Sequence, residues 1–152
     1  MDVSKEIYYA GGCFWGVEEY FSRVPGVLDT ISGYANSDIK DPSYEEVCSG
    51  TTGAAEAVRV VYDPAVVTLG ILTRLFFKII DPVSINRQGN DRGSQYRTGI
   101  YYTDGKDRAQ IRPIIAAVQK DHEKPLAVEF MALKSFYPAE DYHQDYLRRS
   151  EE

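Results

Sequence analysis

Apolar and polar positions recur along this chain with periods that predict an ordered series of strands and helices. Ile7–Ala10 is a short apolar run that reads as a strand. Phe14–Ser22 has the spacing of a helix, stopped by Val24-Pro25-Gly26. Val27–Ala35 reads as a second strand, in which Gly33 predicts a bulge or bend. A polar loop over Asn36–Pro42 leads to Ser43-Tyr44-Glu45-Glu46, a capping-box pattern that predicts one short helical turn. Glu56–Tyr62 alternates: Glu56, Val58, Val60 and Tyr62 share one face, and Ala57, Arg59 and Val61 the other.

Thr68 is placed to cap a helix running through Ile80, with Leu69, Leu72, Leu75, Phe76 and Ile79 on its apolar stripe. Asp81-Pro82 ends it. Val83–Gln95 is polar, holds two glycines and matches neither period; loops of that length in a compact domain are functional or disordered. Tyr96–Thr103 is β-branched and aromatic and reads as a strand. Arg108–Asp121 reads as a helix that Pro113 either begins or kinks, and Leu126–Leu133 as a strand. Pro138 suits the first turn of a final helix to Arg149. The order β-α-β, then β-α-β, predicts an α+β fold with a ferredoxin-like split βαβ core: a mixed sheet with helices, an extra helix and strand, and long loops.

The totals narrow the function classes. At 152 residues the chain suits a single domain, 1–152, burying roughly 70% of its unfolded surface. A net charge of −6 with interspersed signs argues against nucleic acid and anionic membrane as partners. No apolar run approaches the ~18 residues of a spanning helix, and no apolar segment follows the charged start. Two cysteines are too few for a disulfide scaffold, so a cytoplasmic location is expected.

The candidate chemistry begins at Gly11-Gly12-Cys13-Phe14-Trp15-Gly16, which holds one of the two cysteines and the only tryptophan. A cysteine after a strand and a Gly-Gly turn, opening a helix, lies near free N–H groups and the positive end of the dipole. That favours thiolate and predicts a pKa below about 8.5. The alternative is a buried cysteine with two core aromatics. Cys48 lies beside Glu45 and Glu46, which disfavour its thiolate, so Cys13 is the better nucleophile. Glu56 sits on an otherwise apolar face: it is either solvated at the strand end or held neutral by burial, as a general acid requires. Tyr44 and Tyr96 are two of 12 tyrosines and are not distinctive by composition. Asp91 lies in the long polar loop, and His143 near the C-terminus is structural as readily as catalytic. Cys13, Cys48, His122 and His143 make a Cys2His2 set by count only; no pair has the close spacing of a zinc site, so no metal is expected.

Seven stretches, in order, resemble the methionine sulfoxide reductase A family, the peptide-methionine (S)-S-oxide reductases. They are Gly11–Gly16, Gly33–Ala35, Pro42–Gly50, Thr52–Glu56, Tyr62–Pro64, Gln88–Arg97 and Ala139–Gln144, and they span nearly the whole chain. The resemblance implies that Cys13 is the nucleophile. It implies that Phe14 and Trp15 hold the substrate's methyl group, and that Glu56, Tyr44 and Tyr96 bind and protonate the sulfoxide oxygen. Asp91, His143 and Tyr146 are implied as further substrate-binding or supporting residues. The implied substrate is the S-epimer of methionine sulfoxide, free or in proteins. The implied product on the enzyme is a sulfenic acid, returned to the thiol by a reductant such as thioredoxin, glutaredoxin or glutathione, with no cofactor. A non-catalytic cysteine redox sensor is the alternative, separable by turnover.

Two departures from the family pattern stand out. Ala54 occupies the position where the motif carries histidine, and the chain ends Leu147-Arg148-Arg149-Ser150-Glu151-Glu152 without the resolving cysteines of many members. Recycling therefore draws on Cys48, an external thiol or a cysteine beyond this chain.

Overall fold

The computed structural model describes residues 3–144 and 146. β1 (Lys5–Gly11), α1 (Phe14–Ser22) and β2 (Val27–Ala35) come first, followed by the short α2 (Tyr44–Cys48). β3 (Ala55–Tyr62) and α3 (Leu69–Lys78) follow, then a two-stranded hairpin of β4 (Arg87–Gln88) and β5 (Asp91–Arg92). The chain continues with β6 (Thr98–Tyr102), α4 (Arg108–Lys120), β7 (Glu129–Ala132) and β8 (Phe136–Pro138).

Six strands form one sheet in the order β7-β6-β1-β3-β2-β8. Its four central strands, β6-β1-β3-β2, are mutually antiparallel, which is the split βαβ order expected from the sequence. β7 adds to one edge, parallel to β6, after the α4 crossover; β8 adds to the other, antiparallel to β2.

The period-2 alternation of the strands decides what lies on each face. Ile7, Tyr9, Val58, Val60, Tyr62 and Ile100 point to one side and are buried under Phe14, Val17 and Phe21 of α1 and Leu69, Leu72 and Phe76 of α3. Tyr9 stacks between Phe21 and Phe76 at ring separations of 5.0 and 4.9 Å. The opposite face is built from Ala10, Ala35, Ala55, Ala57 and Tyr101 and is covered by Met131, Leu133 and Phe136. Because Glu56 shares its face with Val58 and Val60, the same alternation sends its carboxyl inward, beneath the start of α1.

Three local expectations are corrected. Gly33 makes no bulge: the register shift in β2 lies between Val27 and Asp29. Glycine is needed at 33 because a Cβ there would stand 2.3 Å from the Phe136 ring and 2.6 Å from the Tyr137 carbonyl of β8. Pro138 ends β8 rather than opening a helix; a 3-10 turn follows at Asp141–His143, and Tyr146 is helical. The rest of the expected helix, except Tyr146, lies outside the described residues. α4 runs from Arg108 with Pro113 inside it, on an exposed side where the carbonyl left without an N–H partner meets water. Among the described residues no helix is long and apolar enough to cross a membrane.

Candidate active site

β1 ends at Gly11, and Gly12 turns the chain at φ +88°, where a Cβ would stand 2.8 Å from the side chain of Gln88. Gln88 is itself fixed: its amide accepts from the Asp81 N–H (2.8 Å) and donates to the Asp81 carbonyl (2.9 Å). The long polar loop is thus an ordered hairpin packed on the turn that carries Cys13. Cys13 is the N-cap of α1 and half-buried. Its sulfur lies over the N–H groups of Trp15 and Gly16, which favour the anion, without a formed capping hydrogen bond.

The expected low thiol pKa is not what this setting produces. Burial, then Glu56 and Asp91, push the Cys13 thiol up to about 11, outweighing the two N–H groups. The helix terminus was read correctly; the cost of removing a thiolate from water beside two carboxylates was not visible in the sequence.

Glu56 is 1% exposed. Its Oε1 accepts from the N–H of Phe14, the residue after Cys13, at 3.2 Å, and its buried Oε2 has no partner. Burial raises its pKa to about 7; the Phe14 N–H opposes the shift and Asp91 adds to it. Of the two readings of this carboxyl, burial prevails over solvation.

The aromatic wall is continuous. Phe14 is fully buried, with its ring 5.8 Å from Tyr34, 6.5 Å from Tyr44 and 5.3 Å from His143. The Trp15 indole donates to Nδ1 of His143 at 3.1 Å and stacks on Tyr146 at 4.1 Å. Since Nδ1 accepts a hydrogen bond, His143 is neutral there, and burial lowers its pKa while Glu140 opposes this. Tyr96, on the 3-10 turn after β5, interacts electrostatically with Glu56, Cys48, Asp91 and Cys13, and burial pushes its hydroxyl up to about 12. Tyr44 opens α2 behind the Ser43 capping box, its hydroxyl pushed up by burial and by the nearby Cys48, which is exposed at the end of the helix. Both cysteines are free thiols.

Cys13, Phe14, Trp15, Tyr44, Cys48, Glu56, Asp91, Tyr96, His143 and Tyr146 are thus linked by ring contacts or electrostatic interactions, whereas His122 pairs with the Val118 carbonyl at the end of α4. Two supports were missed. Glu140 accepts from the Tyr34 hydroxyl (2.7 Å), the Tyr44 N–H (3.1 Å) and the Tyr142 hydroxyl (3.3 Å), and so ties β2, α2 and the last turn together. Gln144 clamps that turn to β2, accepting from the Ser32 N–H and donating to the Ser32 and Ala139 carbonyls. A signal existed for Glu140, which lies in the same matching stretch as His143. Tyr34 lies in the matching stretch Gly33–Ala35, but its place beside Glu56 comes from the β2–β3 register.

A half-buried helix-capping thiol, one residue from a buried and protonatable carboxyl and walled by rings, defines a thiol-dependent oxidoreductase on a split βαβ scaffold. Residues 5–152 match the family model of peptide methionine sulfoxide reductase. A peptide methionine sulfoxide reductase MsrA of Clostridium botulinum (strain Okra / Type B1) is 55% identical over 146 residues, which cover 96% of this chain and 93% of the relative. Among solved structures, Mxr1 from Saccharomyces cerevisiae in reduced form is similar at 38% identity and a TM-score of 0.92, covering 98% of this chain and 87% of that one. Mxr1 in complex with Trx2 is similar at 27% identity and a TM-score of 0.66, covering 94% and 84%. The chain belongs to the methionine sulfoxide reductase A family and is an enzyme of thiol-dependent methionine sulfoxide reduction.

Proposed function

We propose that Cys13 attacks the sulfur of methionine sulfoxide while Glu56 delivers a proton to its oxygen. Sulfoxide oxygen is a poor leaving group until protonated, and sulfoxide sulfur is a weak electrophile; one thiolate and one neutral carboxylic acid answer both needs. The Cys13–sulfur bond forms as the S=O bond becomes S–OH, and the hydroxyl then passes to Cys13. The sulfoxide is reduced by two electrons to the thioether, and Cys13 is oxidised by two, to the sulfenic acid. A thiol R–SH condenses with that acid to a mixed disulfide and water, and a second thiol frees Cys13. Tyr44 and Tyr96 orient the oxygen, Phe14 and Trp15 receive the S-methyl group, and Asp91, His143 and Tyr146 support the site. With attack, oxygen and methyl directions all fixed, one sulfur configuration fits; the family assigns S. Free and protein-bound methionine sulfoxide both present this group. The complex of Mxr1 with Trx2 supports an external thiol reductant such as thioredoxin, with glutaredoxin and glutathione as smaller equivalents.

This rests on one observation: the Glu56 carboxyl is held against the backbone next to Cys13 with an unpartnered oxygen left for a ligand. Thiol and carboxyl must together hold one proton to react, as carboxylic acid and thiolate. kcat/KM therefore rises with pH through about 7, where the pair loses its first proton, and falls near about 11 as it loses the second. Glu56→Gln removes the limb near 7. A wild-type profile flat between pH 6 and 8 would overturn the assignment. Mass spectrometry after one equivalent of sulfoxide should find one added oxygen on Cys13.

A further inference from the structure

Gly16 lacks the reasons that the fold supplies for its neighbours. Gly12 needs its positive φ and the space taken by Gln88, and a Cβ on Gly11 would press on Ile80 at 3.0 Å. Gly16 is exposed, is the third residue of a right-handed helix, and a Cβ built on it meets nothing within 4 Å. Glycine there costs the helix about 1 kcal/mol relative to alanine. Among the described residues neither conformation nor packing calls for it.

Gly16 instead lines a groove of about 390 Å³ that opens beside Cys13. Val17 and Tyr20 of α1 and Ile79 after α3 give it apolar walls; Gln88, Gly89 and Asp91 of the hairpin form its other side. Gly89 too leaves open space where a Cβ would stand. Phe14 and Trp15 are not among its walls, so the groove is separate from the ring surface assigned to the methyl group.

We propose that this groove seats the polypeptide flanking an oxidised methionine. The substrate main chain crosses α1 at Gly16 in close approach, and an apolar side chain next to the methionine sulfoxide enters between Val17, Tyr20 and Ile79. The occupant is an extended substrate segment because the groove is continuous with Cys13. A sulfoxide held at that sulfur through its methyl and oxygen has only its side-chain stem left to lead outward. The bare patch at Gly16 suits main chain, which needs contact closer than a Cβ allows, and the apolar walls suit a neighbouring leucine or phenylalanine better than a charge. This deepens the assignment of Cys13 and rests on it.

The test compares blocked pentapeptides carrying methionine sulfoxide between leucines or between glycines with dimethyl sulfoxide, all with a small dithiol as reductant. Wild type should favour the leucine peptide over the glycine peptide. Gly16→Val adds a stiff β-branched side chain that stays in the groove, and should lower the ratio of kcat/KM for the leucine peptide to that for dimethyl sulfoxide by about 10-fold or more. Gly16→Ala should melt no lower than wild type and lower the ratio less. Parallel loss on peptide and dimethyl sulfoxide, or an unchanged ratio, would overturn the groove. So would a loss seen only when a reductant protein replaces the dithiol, which would give the groove to the reductant. If wild type turns over none of the three sulfoxides, the assignment of Cys13 and Glu56 fails instead.

Discussion

Two carboxyl groups border the aromatic wall, and their surroundings shift them in opposite directions. Glu56 receives one N–H, keeps an unpartnered oxygen, and is raised to about 7 by burial. Burial also raises Glu140, but the Tyr34 hydroxyl, its own N–H, the Tyr44 N–H and the Tyr142 hydroxyl outweigh it and hold the group below the usual carboxylate range. The number of donors, more than residue type, separates an acid from an anionic anchor. Glu56→Gln should slow the sulfoxide step by about 10²–10⁴, the cost of a lost general acid. Glu140→Gln should slow it far less, through a looser Tyr44. Single-turnover rates check both, and a larger loss at Glu140 would break the distinction.

The same contrast has a signature in stability. A carboxyl whose folded pKa lies above its unfolded value stabilises the fold fully below the unfolded pKa and loses that contribution as pH rises through the folded one. For Glu56 the loss runs from its ordinary value of 4.5 up to about 7. Glu56→Gln should therefore unfold at higher denaturant than wild type at pH 8, by up to about 3 kcal/mol, and the gap should shrink towards pH 5. Glu140 is shifted the other way: its contribution is present above the unfolded pKa and lost in acid. Glu140→Gln should cost about 1–2 kcal/mol at neutral pH, for hydrogen bonds that no longer end on a charge. Urea midpoints at pH 5 and 8 decide it; an alkaline loss of stability in Glu56→Gln would mean that the buried carboxyl is ionised at little cost.

Glu56 was readable in the sequence because a period of two assigns faces without knowledge of neighbours. Its companions Val58, Val60 and Tyr62 fix its direction, and α1 follows from apolar spacing, a Gly-Gly entry and a Pro-Gly exit. What escaped depended on contacts between distant segments. Pro138 has the local chemistry of a helix start, yet β8 is fixed by pairing with Gly33–Ala35, more than a hundred residues earlier. Gly33, expected to mark a bulge or bend, marks instead the close approach of Phe136, which no local pattern announces. The Cys13 thiol was misjudged because the helix terminus is local, whereas the burial and the carboxylates of Glu56 and Asp91 that outweigh it come from β3 and the hairpin. Ala54, where the family motif has histidine, is buried with the core residues and leaves Glu56 without help from that side chain.

The smallest expected effect sharpens the comparison from the side of the thiols. Cys48 stands exposed at the end of α2, and its pKa is raised by burial and by Glu56 and Glu140 against the opposing effect of Tyr44. Attack on a sulfenic acid needs thiolate, and these carboxylates keep it scarce near neutral pH. An external dithiol meets no such field until it reaches Cys13. Cys48→Ser removes the sulfur at an exposed position while keeping a small polar side chain there. Steady-state turnover with a small dithiol should then change less than about twofold, and single-turnover reduction not at all. A variant that reduces one equivalent of sulfoxide and stops would make Cys48 the resolving thiol.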